Sequence, residues 1–196
     1  VPILLLAGGE PDSKAYVSPN FSAVDNYGNI TKWLAKFNTV ERIPLVMRRA
    51  FYQLRTGKGG PILLETPRNI WDTDLESEID YSPVAGNRVE PSPSDIEPIL
   101  DVLLNAANPI IYAGQGCLYS ESQSELQIFS ELLKAPVMTT MPGKSCFPEN
   151  HPLSLGASSV ATTKATWHFL EKADLVFAIG SSLTKTTYGM DIPPGK

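Results

Sequence analysis

The chain has 196 residues, room for one large domain or for a small one with part of another. With 42% apolar and 19% charged residues it must bury a core, which excludes a disordered chain. Its 16 basic and 21 acidic residues give a net charge of −5 with no block of Lys and Arg, so there is no electrostatic footprint for nucleic acid.

The opening run, residues 1–9, reads as a buried strand ending in a glycine turn. Its apolar stretch, Val1 to Ala7, falls far short of the roughly 20 residues that span a bilayer, so no membrane segment is expected. Neither a Met nor a basic segment precedes it, so it does not read as a signal-peptide core. A loop rich in Ser, Pro and Asn follows, from about Glu10 to Asn29. The next helix is expected from near Ile43-Pro44 to Arg55, with Ile43, Val46, Met47, Ala50, Phe51 and Leu54 on one face. Pro44 suits its first turn and Gly57 its left-handed cap. Gly59-Gly60-Pro61 then turns the chain into a short strand, Ile62-Leu63-Leu64-Glu65, which Pro67 ends. From Asp72 to Pro93 the sequence is acidic, aperiodic and rich in Ser and Pro, the composition of a linker.

A second block opens at Ser92-Pro93-Ser94-Asp95, which has the cap, first-turn proline and early acid of a helix start. Ile96, Ile99, Leu100 and Leu103 continue as one apolar stripe to about Ala106. A strand, Pro109–Ala113, runs into Gly114-Gln115-Gly116. Ser122-Gln123-Ser124-Glu125 reads as a capping box for a helix that buries Leu126, Phe129, Leu132 and Leu133. Strand Pro136–Thr140, a loop rich in Gly and Pro, a helix near Thr163–Lys172 and an apolar strand from Asp174 to Gly180 complete the block. Alternating strands and helices with fully apolar strands imply an α/β fold, a doubly wound parallel sheet with helices on both faces. The first block is a partial α/β unit by the same reading. It lacks most of the strands its sheet would need, so its apolar helix face should seek another chain and make the protein at least a dimer.

Ligands of such sheets sit beyond the carboxyl ends of the strands. Gly114, Gly116, Gly180 and Ser181 lie there and form the candidate nucleotide site, with a tight structural turn as the competing reading. The dinucleotide fingerprint is incomplete, because Tyr119 stands where its third glycine belongs. His151 and His168 have no partner at metal-ligand spacing, and no nucleophile elbow or Lys-bearing phosphate loop is present. Hence no catalytic residue and no metal ligand is assigned. Cys117 and Cys146 read as two buried thiols, which fits a reducing cytoplasm.

The order of landmarks is more specific than any one of them. Ile30-Thr31-Lys32-Trp33, then Ile43-Pro44, Ala50-Phe51, Gly57, Gly60-Pro61 and Pro67, resembles the end of the pyrimidine-binding domain of thiamine-diphosphate enzymes. Gly143-Lys144, Phe147-Pro148-Glu149, His151-Pro152-Leu153 and Gly156 resemble the signature loop of their central domain. Residues 173–176 and 178–181 are similar to that domain's next strand. The resemblance, closest to the acetolactate synthase type, covers nearly the whole chain. It implies that residues 1–71 end the pyrimidine-binding domain, 72–92 link, and 93–196 form most of the central domain. It also implies carbanion chemistry on a 2-keto acid or related carbonyl substrate, with thiamine diphosphate and Mg²⁺ in the full-length enzyme. The glutamate and the Gly-Asp-Gly…Asn motif that serve those groups in the family have no counterpart here. The chain, which begins inside a strand and stops just past a strand and loop, is therefore expected to be an internal fragment, inactive by itself and without a cofactor of its own.

For FAD the pattern departs from the family. Val160-Ala161-Thr162 stands in place of Met-His-Gly, and Gly180-Ser181-Ser182 and Thr184-Lys185-Thr186 lack the expected arginines. Ser cannot replace the fixed charge and forked donors of Arg at a diphosphate, so a relative that has lost FAD fits better. The alternative is a Rossmann-like module that binds FAD, ADP or CoA without catalysis. A nicotinamide enzyme is disfavoured by the missing third glycine and the lack of a downstream acid. A homo-oligomer in the cytoplasm, with no nucleic-acid or membrane partner, completes the expectation.

Overall fold

The computed structural model describes residues 1–76 and 78–193. The chain divides into two compact units, Val1–Glu90 and Pro91–Lys196. Each is built on its own parallel sheet, in keeping with the α/β expectation. The last three residues of the expected C-terminal loop, 194–196, lie outside the described residues.

The first unit contains β1 (Leu4–Gly9), α1 (Ala23–Asn26), β2 (Trp33–Lys36), α2 (Ile43–Arg55), β3 (Ile62–Pro67) and α3 (Arg68–Trp71). Its strand order is β1-β3-β2. The central strand β3 is buried at all six positions, as the apolar run Ile62-Leu63-Leu64 requires of its first half. β2 escapes sequence reasoning because four half-buried residues show no alternation; its parallel pairing with β3, from Trp33 with Ile62 to Lys36 with Glu65, defines it. This third strand overturns the expectation that the apolar face of α2 lacks a surface to pack on. Ile43, Val46, Met47 and Leu54 close with Trp33, Ala35, Ile62 and Leu64 around fully buried Ala50.

Lys32 explains why two of the sequence landmarks occur together. Its ammonium donates to the carbonyls of Gln53 (2.6 Å) and Thr56 (2.5 Å), capping the last turn of α2. Its own N–H bonds the Pro61 carbonyl at 2.7 Å, and a Cβ on Gly60 would stand 2.9 Å from the Lys32 Cβ. The glycine turn is glycine because Lys32 lies against it. The polar stretch after α3 is irregular, yet it lies along α2. Arg55 donates to the Val84 carbonyl at 2.6 Å, Asn87 to the Tyr52 hydroxyl at 3.2 Å, and Leu75 joins the core. Between this stretch and α2 runs an apolar groove of about 310 Å³ that includes Met47, Phe51, Ile79 and Tyr81.

The second unit contains α4 (Pro93–Asn105), β4 (Pro109–Ala113), α5 (Gly116–Tyr119), α6 (Gln123–Leu133), β5 (Val137–Thr140), β6 (Ser154–Ser158), α7 (Lys164–Lys172) and β7 (Leu175–Ile179). The sheet order is β6-β5-β4-β7, all parallel. β4 shows its central place by alternation: Ile111 and Ala113 enter one core with Val137, Leu126 and Phe147, while Ile110 and Tyr112 enter the other with Met138 and Leu170. Helices therefore cover both faces, α6 on one and α7 on the other. β6 hides in the Gly/Pro-rich loop because Ser154-Leu155-Gly156-Ala157-Ser158 has little strand propensity and pairs through a register shift at Val137/Met138.

Three local expectations need correction. In α4 only Leu103 of the expected stripe is buried; Ile96, Ile99 and Leu100 are 39%, 45% and 42% exposed, because no element among the described residues of this unit covers that face. In α6 Leu132 is 78% exposed, since the helix is rotated to bury Leu126 and Ser130 and half-bury Phe129 and Leu133. The capping box at Ser122 does not form, because its hydroxyl donates to the Cys117 carbonyl at 3.3 Å instead. No helix among the described residues is long and apolar enough to cross a membrane.

Candidate functional site

In the second sheet the chain moves outward from β4 through β5 to β6, then returns to lay β7 on the other side of β4. The carboxyl ends of β4 and β7 therefore flank the topological switch point, where doubly wound sheets place ligands. All four sequence-selected residues lie there: Gly114 and Gly116 follow β4, and Gly180 and Ser181 follow β7.

These glycines pack on one another. A Cβ on Gly114 would lie 2.3 Å from the Gly180 carbonyl oxygen and 2.5 Å from the Ser181 Cα. One on Gly116 would lie 2.7 Å from the Gly180 Cα. Gly180 is left-handed (φ +63), and its Cβ would meet the Cys117 nitrogen at 2.6 Å. The amides point inward too: Gly114 N–H bonds the Ile179 carbonyl and Gly116 N–H the Gly180 carbonyl, both at 2.8 Å. The space opened by the missing side chains is filled by backbone, and these two donors are spent on the fold. Gly143, which sequence reasoning placed only in a family-like loop, completes the junction. A Cβ there would lie 2.8 Å from the Gly114 carbonyl carbon and 2.9 Å from the Ala113 oxygen.

Beneath the junction lie Cys117 and Cys146, both buried in the same core cluster. Hydrogen bonding from Cys146 holds the Cys117 thiol below the ordinary thiol range. The same interaction, with burial and the Cys117 charge, pushes Cys146 up. The Cys117 thiol also donates to the Ile179 carbonyl at 3.6 Å.

His151 is anchored on three sides. Its Nδ1 accepts from Leu153 N–H at 3.2 Å, its Nε2 lies 3.1 Å from Glu131, and Phe147 packs edge-on at 5.1 Å. The ring fastens the signature loop to α6. His168 packs edge-on against Phe169. Ser181 Oγ accepts from Leu183 N–H at 3.2 Å, and the Thr184 hydroxyl donates to Ser182 at 2.9 Å, so these side chains order the loop past β7.

The carboxyl edge of the first sheet holds a charged site that sequence reasoning passed over. Glu65, 2% exposed on β3, accepts from Val24 N–H at 3.0 Å and from the Ser22 hydroxyl at 3.4 Å. Lys36 on β2 stands 3.9 Å from Glu65 and 2.9 Å from Asp12. A Cβ on Gly9 would meet the Glu65 carboxylate at 2.9 Å. A lone Glu in an apolar run carries no spacing signal, and its partners come from two separate segments, Ser22 with Val24 and Lys36. Among the described residues no group of three or more His, Cys, Asp or Glu side chains could hold a metal ion.

Comparison with known proteins bears on both units. A family model described as "Thiamine pyrophosphate enzyme, central domain" matches residues 96–195. The chain is 31% identical to a probable acetolactate synthase large subunit of Methanocaldococcus jannaschii, over 96% of this chain and 33% of that protein. It is 31% identical to the glyoxylate carboligase of Escherichia coli O157:H7, over 92% of this chain and 31% of that one. Its fold is similar to that of benzoylformate decarboxylase from Polynucleobacter necessarius, with TM-score 0.82 at 24% identity, covering 100% of this chain and 38% of that one. The chain spans about a third of the length of the curated relatives it matches.

Proposed function

Because this chain belongs to the thiamine pyrophosphate enzyme family, we propose that it is the middle region of an acetolactate-synthase-like lyase or transferase acting on a 2-keto acid or a related carbonyl compound. Residues 1–71 would end the pyrimidine-binding domain, 72–92 connect, and 93–196 form most of the central domain. The observation that carries this reading is that both curated relatives align across both units, over 92–96% of the chain, at 31% identity. A single shared Rossmann-like module would align over one unit only.

Thiamine diphosphate and Mg²⁺ would belong to the complete enzyme, where the cofactor supplies the carbanion chemistry. The residues of this chain do not fit the diphosphate–Mg²⁺ group. Glu65, its buried carboxylate, is already engaged by Val24, Ser22 and Lys36, and no acidic cluster is placed to hold a cation among the described residues. No catalytic step is assigned to this chain. Its part is to carry the junction at the switch point and the charged edge of the first sheet. A flavin reading has little support from the glycine junction, whose room is filled by backbone and whose Gly114 and Gly116 amides are engaged. A homo-oligomer is proposed on the strand β1, where Leu5 and Leu6, with Ile3 just before the strand, are about half exposed.

The test is turnover by the complete protein with thiamine diphosphate and Mg²⁺, presented with pyruvate, glyoxylate and benzoylformate, following CO₂ release. Cofactor-dependent CO₂ release from at least one of these is the expected result. No release from any of them, in protein that binds the cofactor, would overturn the 2-keto acid assignment.

A further inference from the structure

The two cysteines sit on two turns built alike. β4 ends and Gly114 follows; three residues later comes Cys117, whose N–H bonds the Gly114 carbonyl at 3.1 Å. β5 ends at Thr140, and after Met141 and Pro142 comes Gly143; three residues later comes Cys146, whose N–H bonds the Gly143 carbonyl at 3.0 Å. β4 and β5 are neighbours in the sheet, and the two turns touch backbone to backbone, with the Gly143 Cβ position 2.8 Å from the Gly114 carbonyl carbon. Like turns stacked in contact bring both thiols into one core cluster with Ala113, Val137 and Phe147. Each thiol perturbs the ionisation of the other. Nothing in the proposed function uses this pair.

We propose that Cys117 and Cys146 are a redox modification site, a dithiol that a small peroxide converts reversibly into a disulfide joining the carboxyl ends of β4 and β5. The Cys117 thiol gives up its proton, the thiolate attacks one peroxide oxygen, the O–O bond breaks, and Cys117 becomes a sulfenic acid while the leaving hydroxide takes up that proton as water. The Cys146 sulfur then attacks the Cys117 sulfur, an S–S bond forms, and the hydroxyl departs with the Cys146 proton as a second water. Two electrons pass from the two thiols to the peroxide. Cys117 is taken as the attacking sulfur because, of the two thiols, its ionisation is the one that is favoured. Although both thiols are buried, the backbone around them is not: Gly180 and Ser145 are exposed on either side of the pair. A small peroxide needs only a local opening of the turns to enter.

The experiment uses the full chain, native and under non-reducing conditions, with hydrogen peroxide as the probe. We expect the intact mass to fall by two hydrogen atoms and a tryptic digest to contain residues 89–134 joined to 145–164 from the same chain. A phosphine reductant should restore the starting mass. In Cys146→Ser the sulfenic acid should persist on Cys117 and be trapped by dimedone, whereas Cys117→Ser should give far less adduct at Cys146. Two free thiols remaining after treatment would overturn the proposal. So would oxygen added without a cross-link, or linkage only between chains. The wild-type measurement decides the matter even where a Ser variant fails to fold.

Discussion

Single atoms at the strand tips decide how much each glycine matters. Gly114→Ala would drive a methyl to 2.3 Å from a carbonyl oxygen that cannot move without breaking its bond to Gly116. Gly180→Ala adds the strain of a left-handed φ to a 2.6 Å clash with the Cys117 nitrogen. Each should cost about 1–3 kcal/mol or more by urea denaturation. Gly8→Ala meets nothing within 4 Å and should stay within about 0.5 kcal/mol of wild type, so equal losses at all three positions would refute this packing. A second effect at this scale depends on pH. Hydrogen bonds from Gln127 and then His151 hold the Glu131 carboxyl below the usual carboxylate range. A depressed folded-state pKa gives stability that is present above the unfolded carboxylate pKa and lost as pH falls through the folded one. Glu131→Gln should therefore flatten the acid side of a plot of urea midpoint against pH and leave the neutral side little changed. A steepened acid limb would contradict the assignment.

Among the elements, helix faces were the part of the fold that periodicity located least well. α2 begins and ends where its pattern says, and its stripe packs because β2 and β3 lie under it. α4 has an equally regular stripe, yet of it only Leu103 is buried. Periodicity states that a face is apolar; it does not state what lies opposite. Leu103→Ala should cost about 2–4 kcal/mol, whereas Ile99→Ala, half exposed, should cost under about 1. Comparable losses would mean that α4 is buried along its whole face in solution. The Lys32 cap is testable at this scale as well. Lys32→Met keeps the alkyl stem against Gly60 but removes the donor to Gln53 and Thr56, and should cost about 1 kcal/mol in the melting of the first unit. Failure of that variant to lower the midpoint would assign the cap to solvent.

For the molecule as a whole, ligand binding and assembly are the measurable consequences. Isothermal titration of this chain with thiamine diphosphate and Mg²⁺ should give no saturable binding, and saturable micromolar binding would defeat the reading of it as a middle region. FAD should bind no tighter than about 10 μM, or about −7 kcal/mol, which flavin fluorescence quenching would check. Light scattering should find at least a dimer; a 21.3 kDa monomer at micromolar concentration would contradict the proposal from the exposed strand β1. The α/β class and the family were legible in the sequence. Unbroken apolar runs such as Ile62–Leu64 and Leu175–Ile179 are the pattern of a parallel sheet covered on both faces, and the succession of glycine and proline landmarks matches the family over most of the chain. Local periodicity and backbone restriction are properties of neighbouring residues, so one chain displays them. What only the tertiary structure decided is what meets across the sheet. β2 and β6 exist through their pairing partners, Glu65 acquires Lys36 from one segment and the Ser22 and Val24 donors from another, and Gly114 proves to be packed against both Gly143 and Gly180. Contacts between residues tens of positions apart have no local signature. Cys117 and Cys146 read as two separate buried thiols until the stacked turns place them together.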